Sequence, residues 1–380
     1  MLYQNAYIFT EDFRFIKGSF EVENGRFTRV YEGVTSQEGV NLKGAMVLPG
    51  LVDVHHHGNS GVDFSDGDAL GLRKMAAYLG RCGVTSFAPA SMTLPYEKLG
   101  RAFATASEFK AQRPAGHAKL MGIQMEGPYF AASKKGAQNG DYLRVPDFEG
   151  FYRLYAACDG LIRIADVAPE LPGAVEFIRQ ASRLCTVSMA HTDANYEQAR
   201  AAIDAGATHL THLFNAMPPI HHRNPGVIGA AAERPRVRAE LICDGLHVHP
   251  ASVRLAFSLF GPERMILVSD AARACGMPDG TYDLGGQQIF LKDHICRLAD
   301  GTIAASATDL FTCMQNAVSF GIPLADAVRA ASYNPACAIG AEERVGSIAV
   351  GKDADFVVCT PELRRLAVYI DGCPVPQENA

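Results

Sequence analysis

Two histidines at the end of an apolar run, His55 and His57, are residues whose type and spacing suggest chemistry. Residues two apart on a β-strand project from the same face, so both rings are predicted to face one side and His56 the other. Neutral imidazole is a common metal ligand, and Gly58 ends the run at once. The pair is a candidate metal site, although a hydrogen-bonded structural turn explains one such pair about equally well.

Further apolar runs also end in ionisable side chains: Glu126, His191, His212, His247 and Asp270. Any one of them alone is better explained as a helix cap or an ion-pair member. Together, these imidazoles and the two carboxylates on one rim would leave like charges and unpaired polar groups, unless the groups shared a cation. The joint pattern therefore favours a metal centre.

The most complete ligand set is Glu126, His191 and His212, two histidines and one carboxylate with room for a water molecule. Such a set suits zinc, and also Fe²⁺ or another first-row ion. The pair described first could complete a second, adjacent site with Glu126 as the bridge, so one or two ions per subunit are expected. A divalent ion lowers the pKa of water from about 15.7 toward about 7. Asp270 is then the expected general base, and the predicted chemistry is metal-assisted hydrolysis of an amide or a related bond.

The rhythm of the middle of the chain predicts the elements that position these side chains. Helix-like stretches alternate with eight apolar runs, at residues 51–57, 84–90, 120–126, 161–167, 186–191, 207–212, 239–244 and 265–270. Helices are predicted at residues 69–82, 96–111, 173–184, 196–205 and 250–260. This alternation is typical of an α/β fold, a (β/α)₈ TIM-like barrel with reactive groups at the carboxyl ends of its strands. An open doubly wound sheet is the alternative, but no Gly-x-Gly-x-x-Gly loop follows the first run.

The two ends of the chain have a different pattern. Short apolar runs with an Asn24-Gly25 turn precede the first barrel strand, and similar runs with an Asp371-Gly372 turn close the chain. We therefore expect a small β-sandwich domain formed by residues 1–48 and 345–380. Residues 49–344 are expected to form the barrel hydrolase domain.

The composition of the 380-residue chain, with 48% hydrophobic residues and a net charge of −6, is that of an ordinary globular protein. Scattered basic residues do not indicate a nucleic-acid partner, and no run approaches the roughly 20 apolar residues of a membrane span. The N-terminus lacks a signal-peptide pattern. Ten cysteines without a Cys-x-x-Cys pair are typical of free thiols in a reducing cytosol, so a cytoplasmic location is expected.

These motifs resemble the amidohydrolase superfamily and, within it, the family of N-acetylglucosamine-6-phosphate deacetylases. The resemblance extends over nearly the whole chain. The His-x-His motif is evidence only for the superfamily, whereas the run His-Leu-Phe-Asn-Ala-Met from His212, followed by His-His-Arg from His221, is specific to the deacetylase branch. Other matching motifs are Met125-Glu126-Gly127-Pro128, Lys134-Lys135-Gly136-Ala137, Ala190-His191-Thr192, Asp244-Gly245-Leu246-His247 and Val268-Ser269-Asp270-Ala271.

The resemblance implies the same metal ligands and the same base, and it adds a substrate. This substrate is N-acetyl-D-glucosamine 6-phosphate, hydrolysed to D-glucosamine 6-phosphate and acetate. The implied contacts are Asn215, Ala216 and Arg223 with the phosphate, and His247 with the sugar; a planar guanidinium suits the phosphate. In such enzymes this arginine can reach across a dimer interface, so a homodimer is expected.

Two positions depart from the family pattern. Gln138 stands where many members have a histidine near the acetamide, and glutamine donates hydrogen bonds but carries no positive charge. The preference for one sugar epimer is therefore open. Arg273, close to Asp270, stands where members have small or polar residues. It is expected to face outward, with binding of an extra anionic group as the alternative.

Other functions are weighed against this one. The main alternative is that this chain is a related amidohydrolase whose substrate is N-acetylgalactosamine 6-phosphate, an acylated amino acid or a cyclic imide. Cyclic-amide members usually bridge their metals with a modified lysine, whereas Glu126 takes the bridging role here. A non-enzymatic scaffold is disfavoured because such proteins typically lose ligands, and this chain retains all of them and the base.

Overall fold

The computed structural model describes residues 1–33, 37–112 and 114–376. In chain order the first strands are β1 (Leu2–Phe9), β2 (Phe15–Glu23), β3 (Arg26–Glu32), β4 (Val40–Asn41) and β5 (Met46–Pro49). They are followed by β6 (Leu51–Asp53), β7 (Gly58–Asn59), β8 (Val62–Asp63), β9 (Val84–Phe87), β10 (Lys119–Leu120), β11 (Ile123–Tyr129), β12 (Ile162–Val167), β13 (Thr186–Met189), β14 (His209–Leu210), β15 (Arg238–Ile242) and β16 (Met265–Val268). The last strands are β17 (Gly280–Leu284), β18 (Gln287–Lys292), β19 (Ile295–Leu298), β20 (Ile303–Ser306), β21 (Phe356–Cys359), β22 (Arg365–Ile370) and β23 (Cys373–Pro374).

The helices are α1 (Ala69–Arg81), α2 (Tyr96–Gln112), α3 (Phe148–Ala157), α4 (Ala174–Ala181), α5 (Tyr196–Ala205), α6 (Gly226–Ala232), α7 (Pro250–Phe260), α8 (Leu310–Ser319), α9 (Leu324–Ala331) and α10 (Tyr333–Ala338). Three short 3₁₀ helices span Phe64–Asp66, Ala132–Lys134 and Gly140–Tyr142. The predicted helices correspond to α1, α2, α4, α5 and α7, and their ends differ from the prediction by at most a few residues. None of the described helices has the length and apolar character needed to cross a bilayer.

Strands from both chain ends form one eight-stranded sheet in the order β23-β22-β21-β5-β1-β2-β3, with β4 beside β1. Strands β21 and β3 are four positions apart, about 19 Å in a flat sheet. The rings of Phe356 in β21 and Phe27 in β3 are nevertheless 6.0 Å apart, so the sheet curls around one shared core.

This curled sheet is the small β domain that the sequence predicts from both ends. The predicted hairpin turn at Asn24-Gly25 connects β2 and β3. One of the apolar runs that the sequence shows near the C-terminus, residues 346–350, is not a strand; its Ile348 makes an isolated bridge to Thr10. The exact domain boundaries stay a prediction, and residues 34–36 and 377–380 lie outside the described residues.

Eight parallel strand positions form the predicted barrel: β6, β9, β10 with β11, β12, β13, β14, β15 and β16. A bridge between Ala90 and Gln124 joins the first group, β6-β9-β10, to the second, β11–β16. The ring closes between its last and first strands. There the Asp270 N–H donates to the His55 carbonyl at 2.9 Å, and Ser269 Oγ donates to Asp53 Oδ2 at 2.6 Å.

The amino ends of the barrel strands are covered by α10. Its Ala336 and Ala338 belong to the same buried cluster as Val52 in β6 and Ile266 in β16. Thr186, the first residue of β13, donates its hydroxyl to the Ala338 carbonyl at 2.7 Å. The opposite rim, where the strands end, is therefore free to form a site.

A four-stranded antiparallel sheet, β17-β18-β19-β20, follows the last barrel strand, and the sequence analysis did not predict it. We call residues 280–306 the cover sheet. It buries Leu284, Ile289 and Cys296 on one face, and an isolated bridge between Ser306 and Ala271 ties its end to the barrel.

Candidate active site

The predicted primary ligands meet at the carboxyl ends of the barrel strands. Glu126 lies within β11, and His191 and His212 each follow two residues after their strands, β13 and β14. The Nε2 atoms of His191 and His212 lie 3.1 Å and 3.3 Å from Glu126 Oε1, and 3.1 Å from each other. All three side chains are buried. Because their ligand atoms lie so close together, they form one of two clusters among the described residues that could hold a metal ion.

The second such cluster shares Glu126 and adds the first two histidines. Nε2 of His55 is 3.5 Å from Glu126 Oε1, and Nε2 of His57 is 3.3 Å from Glu126 Oε2. Both histidines follow the end of β6 rather than lying within it, yet their rings point to the same carboxylate. His56 points away, its ring 5.6 Å from Phe87.

Asp270 borders both histidines of this second cluster. Its Oδ1 lies 3.3 Å from His57 Nε2 and 3.7 Å from His55 Nε2. The side chain remains 11% exposed, more than either imidazole. The carboxylate can therefore accept a proton from a molecule in the cavity.

The hydrogen bonds behind the rings determine which nitrogen faces the cluster. Nδ1 of His191 donates to the Lys134 carbonyl at 2.8 Å, and Nδ1 of His57 donates to the Ala90 carbonyl at 3.2 Å. A carbonyl only accepts, so each ring in its neutral form presents an Nε2 lone pair to the Glu126 carboxylate. Lone pairs that face an anion are unfavourable unless a cation lies between them. The donor set therefore fits a divalent metal ion.

The pKa values of the cluster are shifted because carboxylates and imidazoles face each other in a buried site. Burial by itself lowers the pKa of His55, but the carboxylates of Glu240, Asp270 and Glu126 outweigh it and raise that pKa well above its usual value. Burial by itself raises the pKa of Glu126 and of Asp270, yet the neighbouring histidines lower both. The carboxylates thus require positive charge among the rings, which a bound cation supplies.

The backbone at three of these side chains is in the left-handed region. The φ angles are +43° at His191, +31° at His212 and +46° at Asp270. Such angles are uncommon for residues with a Cβ and persist only where the surrounding structure fixes them. Each places a sharp bend directly after a strand, which turns the side chain across the barrel mouth.

Sequence reasoning missed two groups beneath the cluster, Glu240 in β15 and His209 in β14. Glu240 Oε2 accepts from His55 Nδ1 at 2.8 Å, and Glu240 Oε1 accepts from His209 Nε2 at 2.9 Å. Both side chains are buried. The available signal was the charge of Glu240 inside the apolar run 239–244, whose other charged residue, Asp244, lies at its end.

The cluster opens into a cavity of about 310 Å³. The cavity is lined by four of the predicted substrate residues, Gln138, Asn215, Ala216 and His247. Leu284, Ile303 and other residues of the cover sheet also line it. A larger cavity of about 470 Å³, between the curled sheet and the barrel, contains none of the predicted site residues.

Two of these lining residues have defined partners. Gln138 Nε2 donates to Glu126 Oε2 at 2.6 Å, and its Oε1 accepts from the Thr93 N–H at 2.7 Å. His247 Nδ1 is 2.7 Å from Asp244 Oδ2. Gln138 therefore contacts the candidate metal ligand directly.

Arg223 is not brought into the cavity of its own chain. It lies on an exposed loop, with Nη1 2.7 Å from His222 Nε2. Arg223 is therefore not brought together with the other predicted substrate residues.

The expectation that Arg273 faces outward is wrong. Its side chain is only 15% exposed and pairs with Asp66 at 2.8 Å and with Asp283 at 3.6 Å. Asp66 belongs to the barrel rim and Asp283 to the cover sheet, so the guanidinium connects the two. These two carboxylates, 40% and 50% exposed, hold the guanidinium between the rim and the cover sheet, and Arg273 is not among the residues that line the cavity.

A barrel with a cluster of candidate metal ligands at its strand ends matches a known class of protein. Residues 46–375 match the model of the amidohydrolase family. The chain belongs to the amidohydrolase family.

Individual relatives narrow the comparison. The chain is 36% identical over 332 residues to N-acetylglucosamine-6-phosphate deacetylase of Bacillus subtilis (strain 168), covering 86% of this chain and 84% of the relative. It is 35% identical over 329 residues to N-acetylgalactosamine-6-phosphate deacetylase of Escherichia coli O157:H7, covering 86% and 87%.

A solved structure matches over nearly the whole chain. It is a mutant of N-acetyl-D-glucosamine-6-phosphate deacetylase from Mycobacterium smegmatis in complex with N-acetyl-D-glucosamine-6-phosphate. Its TM-score is 0.94 at 35% identity, with 99% of each chain covered. The predicted barrel with a small β domain is thereby confirmed.

Proposed function

We propose that this protein is a metal-dependent deacetylase that hydrolyses N-acetyl-D-glucosamine 6-phosphate to D-glucosamine 6-phosphate and acetate. The observation that carries the proposal is the convergence of four imidazoles and Glu126 beside Asp270, at the base of the cavity. The match to a structure that holds the same sugar phosphate supports the choice of substrate.

The metal belongs to this proposal. Glu126, His191 and His212 would hold the primary ion, and His55 and His57 would hold a second ion with Glu126 as the shared ligand. Nitrogen and carboxylate donors suit zinc, with Fe²⁺ as the alternative. A divalent ion bound there supplies the positive charge that polarises the amide and makes water more acidic.

Asp270 supplies the proton chemistry. Its carboxylate takes a proton from the attacking water as the new carbon–oxygen bond forms. The protonated side chain then gives that proton to the amide nitrogen as the carbon–nitrogen bond breaks, which releases the amine and acetate. A cation bound among the neighbouring histidines would keep the Asp270 carboxylate ionised and ready to accept a proton.

Substrate orientation falls to the cavity walls. Asn215 and Ala216 lie beside the cluster and would contact the phosphate, and His247, held by Asp244, would contact the sugar. Arg223 would reach the phosphate of the neighbouring subunit in a homodimer, which is consistent with its exposed position. A cytoplasmic location is part of the proposal, supported by ten unpaired cysteines.

N-Acetylgalactosamine 6-phosphate is the second candidate substrate. Identity to the relative named for that sugar, 35%, is almost the same as to the N-acetylglucosamine relative. Gln138 lies in the cavity and contacts Glu126, so this position is the structural reason to test both epimers.

Acetate release from both sugar phosphates and from unphosphorylated N-acetylglucosamine tests the proposal. We expect N-acetylglucosamine 6-phosphate to give the highest kcat/KM; equal rates with and without phosphate would contradict the phosphate assignment. Asp270→Asn should lower kcat about 10²–10⁴-fold while the zinc content is retained. Undiminished turnover in that variant would exclude Asp270 as the base.

A further inference from the structure

Glu240 is a fully buried carboxylate in a strand whose flanking residues, Ala239 and Leu241, are apolar. Burying a carboxylate is costly unless donors surround it. Glu240 has three: the His55 ring at 2.8 Å, the His209 ring at 2.9 Å and the backbone N–H of His212 at 3.3 Å. The cost of burying this carboxylate is therefore offset by hydrogen bonds from three different residues.

Two of these donors belong to different ligand clusters. His55 is part of the cluster with His57, whereas His212 is part of the cluster with His191. One carboxylate thus contacts the ring of one ligand and the backbone of another. His209 is in neither cluster and holds the second oxygen of Glu240.

We propose that Glu240 is a positioning residue that couples the two ligand clusters, and that His209 holds Glu240 in place. The inference rests on the metal binding proposed above. By accepting the Nδ1 hydrogen of His55, Glu240 fixes the tautomer whose Nε2 lone pair faces Glu126. A carboxylate behind a ligating imidazole also makes that ring a stronger ligand.

The contact with His212 has a different effect. Its N–H belongs to a residue with a φ of +31°, a conformation that needs support from its surroundings. Glu240 supplies a hydrogen bond to that strained turn. It therefore helps to aim the His212 ring at Glu126 without touching the ring itself.

Zinc affinity tests the proposal without using activity. Metal-depleted wild type and Glu240→Gln are titrated with zinc against a chromogenic chelator, which gives both stoichiometry and affinity. Glutamine keeps the size and one acceptor but loses the charge, and outer-ligand changes of this kind weaken metal binding about 10–100-fold. We expect a loss of that size for at least one bound ion.

Asp166→Asn is the matched control. Asp166 is equally buried inside the barrel and accepts from Gln124 at 3.1 Å. Burial together with the nearby Glu240 and Glu126 raises its pKa well above the usual value, so a neutral asparagine is a close substitute. Its zinc affinity should equal that of wild type.

A pair of His209 variants gives a second route if Glu240→Gln does not fold. His209→Gln keeps an N–H donor toward Glu240 and should retain zinc affinity, whereas His209→Leu removes the donor and should weaken it. With Co²⁺ in place of zinc, His209→Leu and Glu240→Gln should shift the visible absorption spectrum. Asp166→Asn should keep the wild-type spectrum.

The outcomes separate this inference from the proposed function. A wild type that binds no divalent ion contradicts the metal proposal itself, and the inference falls with it. A wild type that binds zinc, with Glu240→Gln and His209→Leu equal to it, contradicts only the coupling role. An equal loss in Asp166→Asn would show a general effect of altering the buried barrel core, and would also overturn the role.

Discussion

Replacing Gln138 by glutamate gives the sharpest test of the cluster geometry. In the structure the Gln138 amide donates to Glu126 Oε2 at 2.6 Å, and both side chains are buried. Gln138→Glu replaces that donor with a second carboxylate of the same length. Two buried carboxylates would then face each other in the position of the hydrogen bond.

The expected penalty follows from that distance. Two unit charges 2.6 Å apart repel by about 6 kcal/mol at an effective dielectric constant of about 20. Protonating a carboxyl with an ordinary pKa of about 4.3 costs less, about 1 kcal/mol at pH 5 and about 4 kcal/mol at pH 7. In the folded variant the Glu126 carboxylate and the introduced carboxylate should therefore share one proton, so the pKa of this pair is raised above about 4.3. Its stability is close to wild type below about pH 4.3 and falls as pH rises.

Gln138→Met is the matched control. It loses both hydrogen bonds at every pH and leaves the Thr93 N–H without this partner, at a cost of about 1–3 kcal/mol that does not depend on pH. The measurement is the apparent melting temperature of the wild type and both variants between pH 5 and 8. Metal-depleted protein in chelator is used because a bound cation would neutralise the added carboxylate.

If the melting temperature of Gln138→Glu, relative to Gln138→Met, stays constant from pH 5 to 8, the two carboxyl groups do not face each other. Gln138 would then point away from Glu126, and its proposed contact with the candidate ligand would be wrong.

Three further outcomes are expected. Dialysis against a chelator should abolish acetate release and added zinc should restore it; activity in verified metal-free protein would contradict the metal proposal. Arg273→Gln and Asp283→Asn each remove a tie between the cover sheet and the rim, so both should raise KM more than they lower kcat; a kcat loss as large as that of Asp270→Asn would count against this. Burial raises the pKa of Asp355 from 3.8 to about 6. The contribution of protonated Asp355 to the free energy of unfolding is therefore complete below about pH 4 and is lost as the pH rises through 6, a change of at most about 3 kcal/mol. Asp355→Asn should thus raise the melting temperature at pH 7 but not at pH 4; a difference independent of pH would argue against the raised pKa.

The barrel and its main cluster could be predicted because the relevant signals are local. Each strand is a short apolar run. His191 and His212 lie just after the carboxyl ends of their strands, whereas Glu126 lies within β11, which continues to Tyr129. Parallel strands in a closed barrel bring those ends together, so the sequence pattern already implies proximity. The roles assigned to these residues remain predictions.

Other features depend on contacts that no local pattern records. Arg273 was misplaced because its partner Asp66 is 207 residues away in the chain. Glu240 was overlooked because one charge in an apolar run resembles an irregular core position. The left-handed backbone at His212 is equally hidden, since it is uncommon for any residue other than glycine and nothing in the neighbouring sequence requires it.

The curled sheet at the chain ends also sets the order in which the molecule can be completed. Strand β5 is buried along its whole length and pairs with β21, which is synthesised only after the entire barrel. Until then, a nascent chain carries an open hydrophobic strand edge, the kind of surface that recruits other unfinished chains. Aggregation during biosynthesis should therefore be most sensitive to substitutions along β5 and β21, neither of which contains a proposed metal or substrate residue.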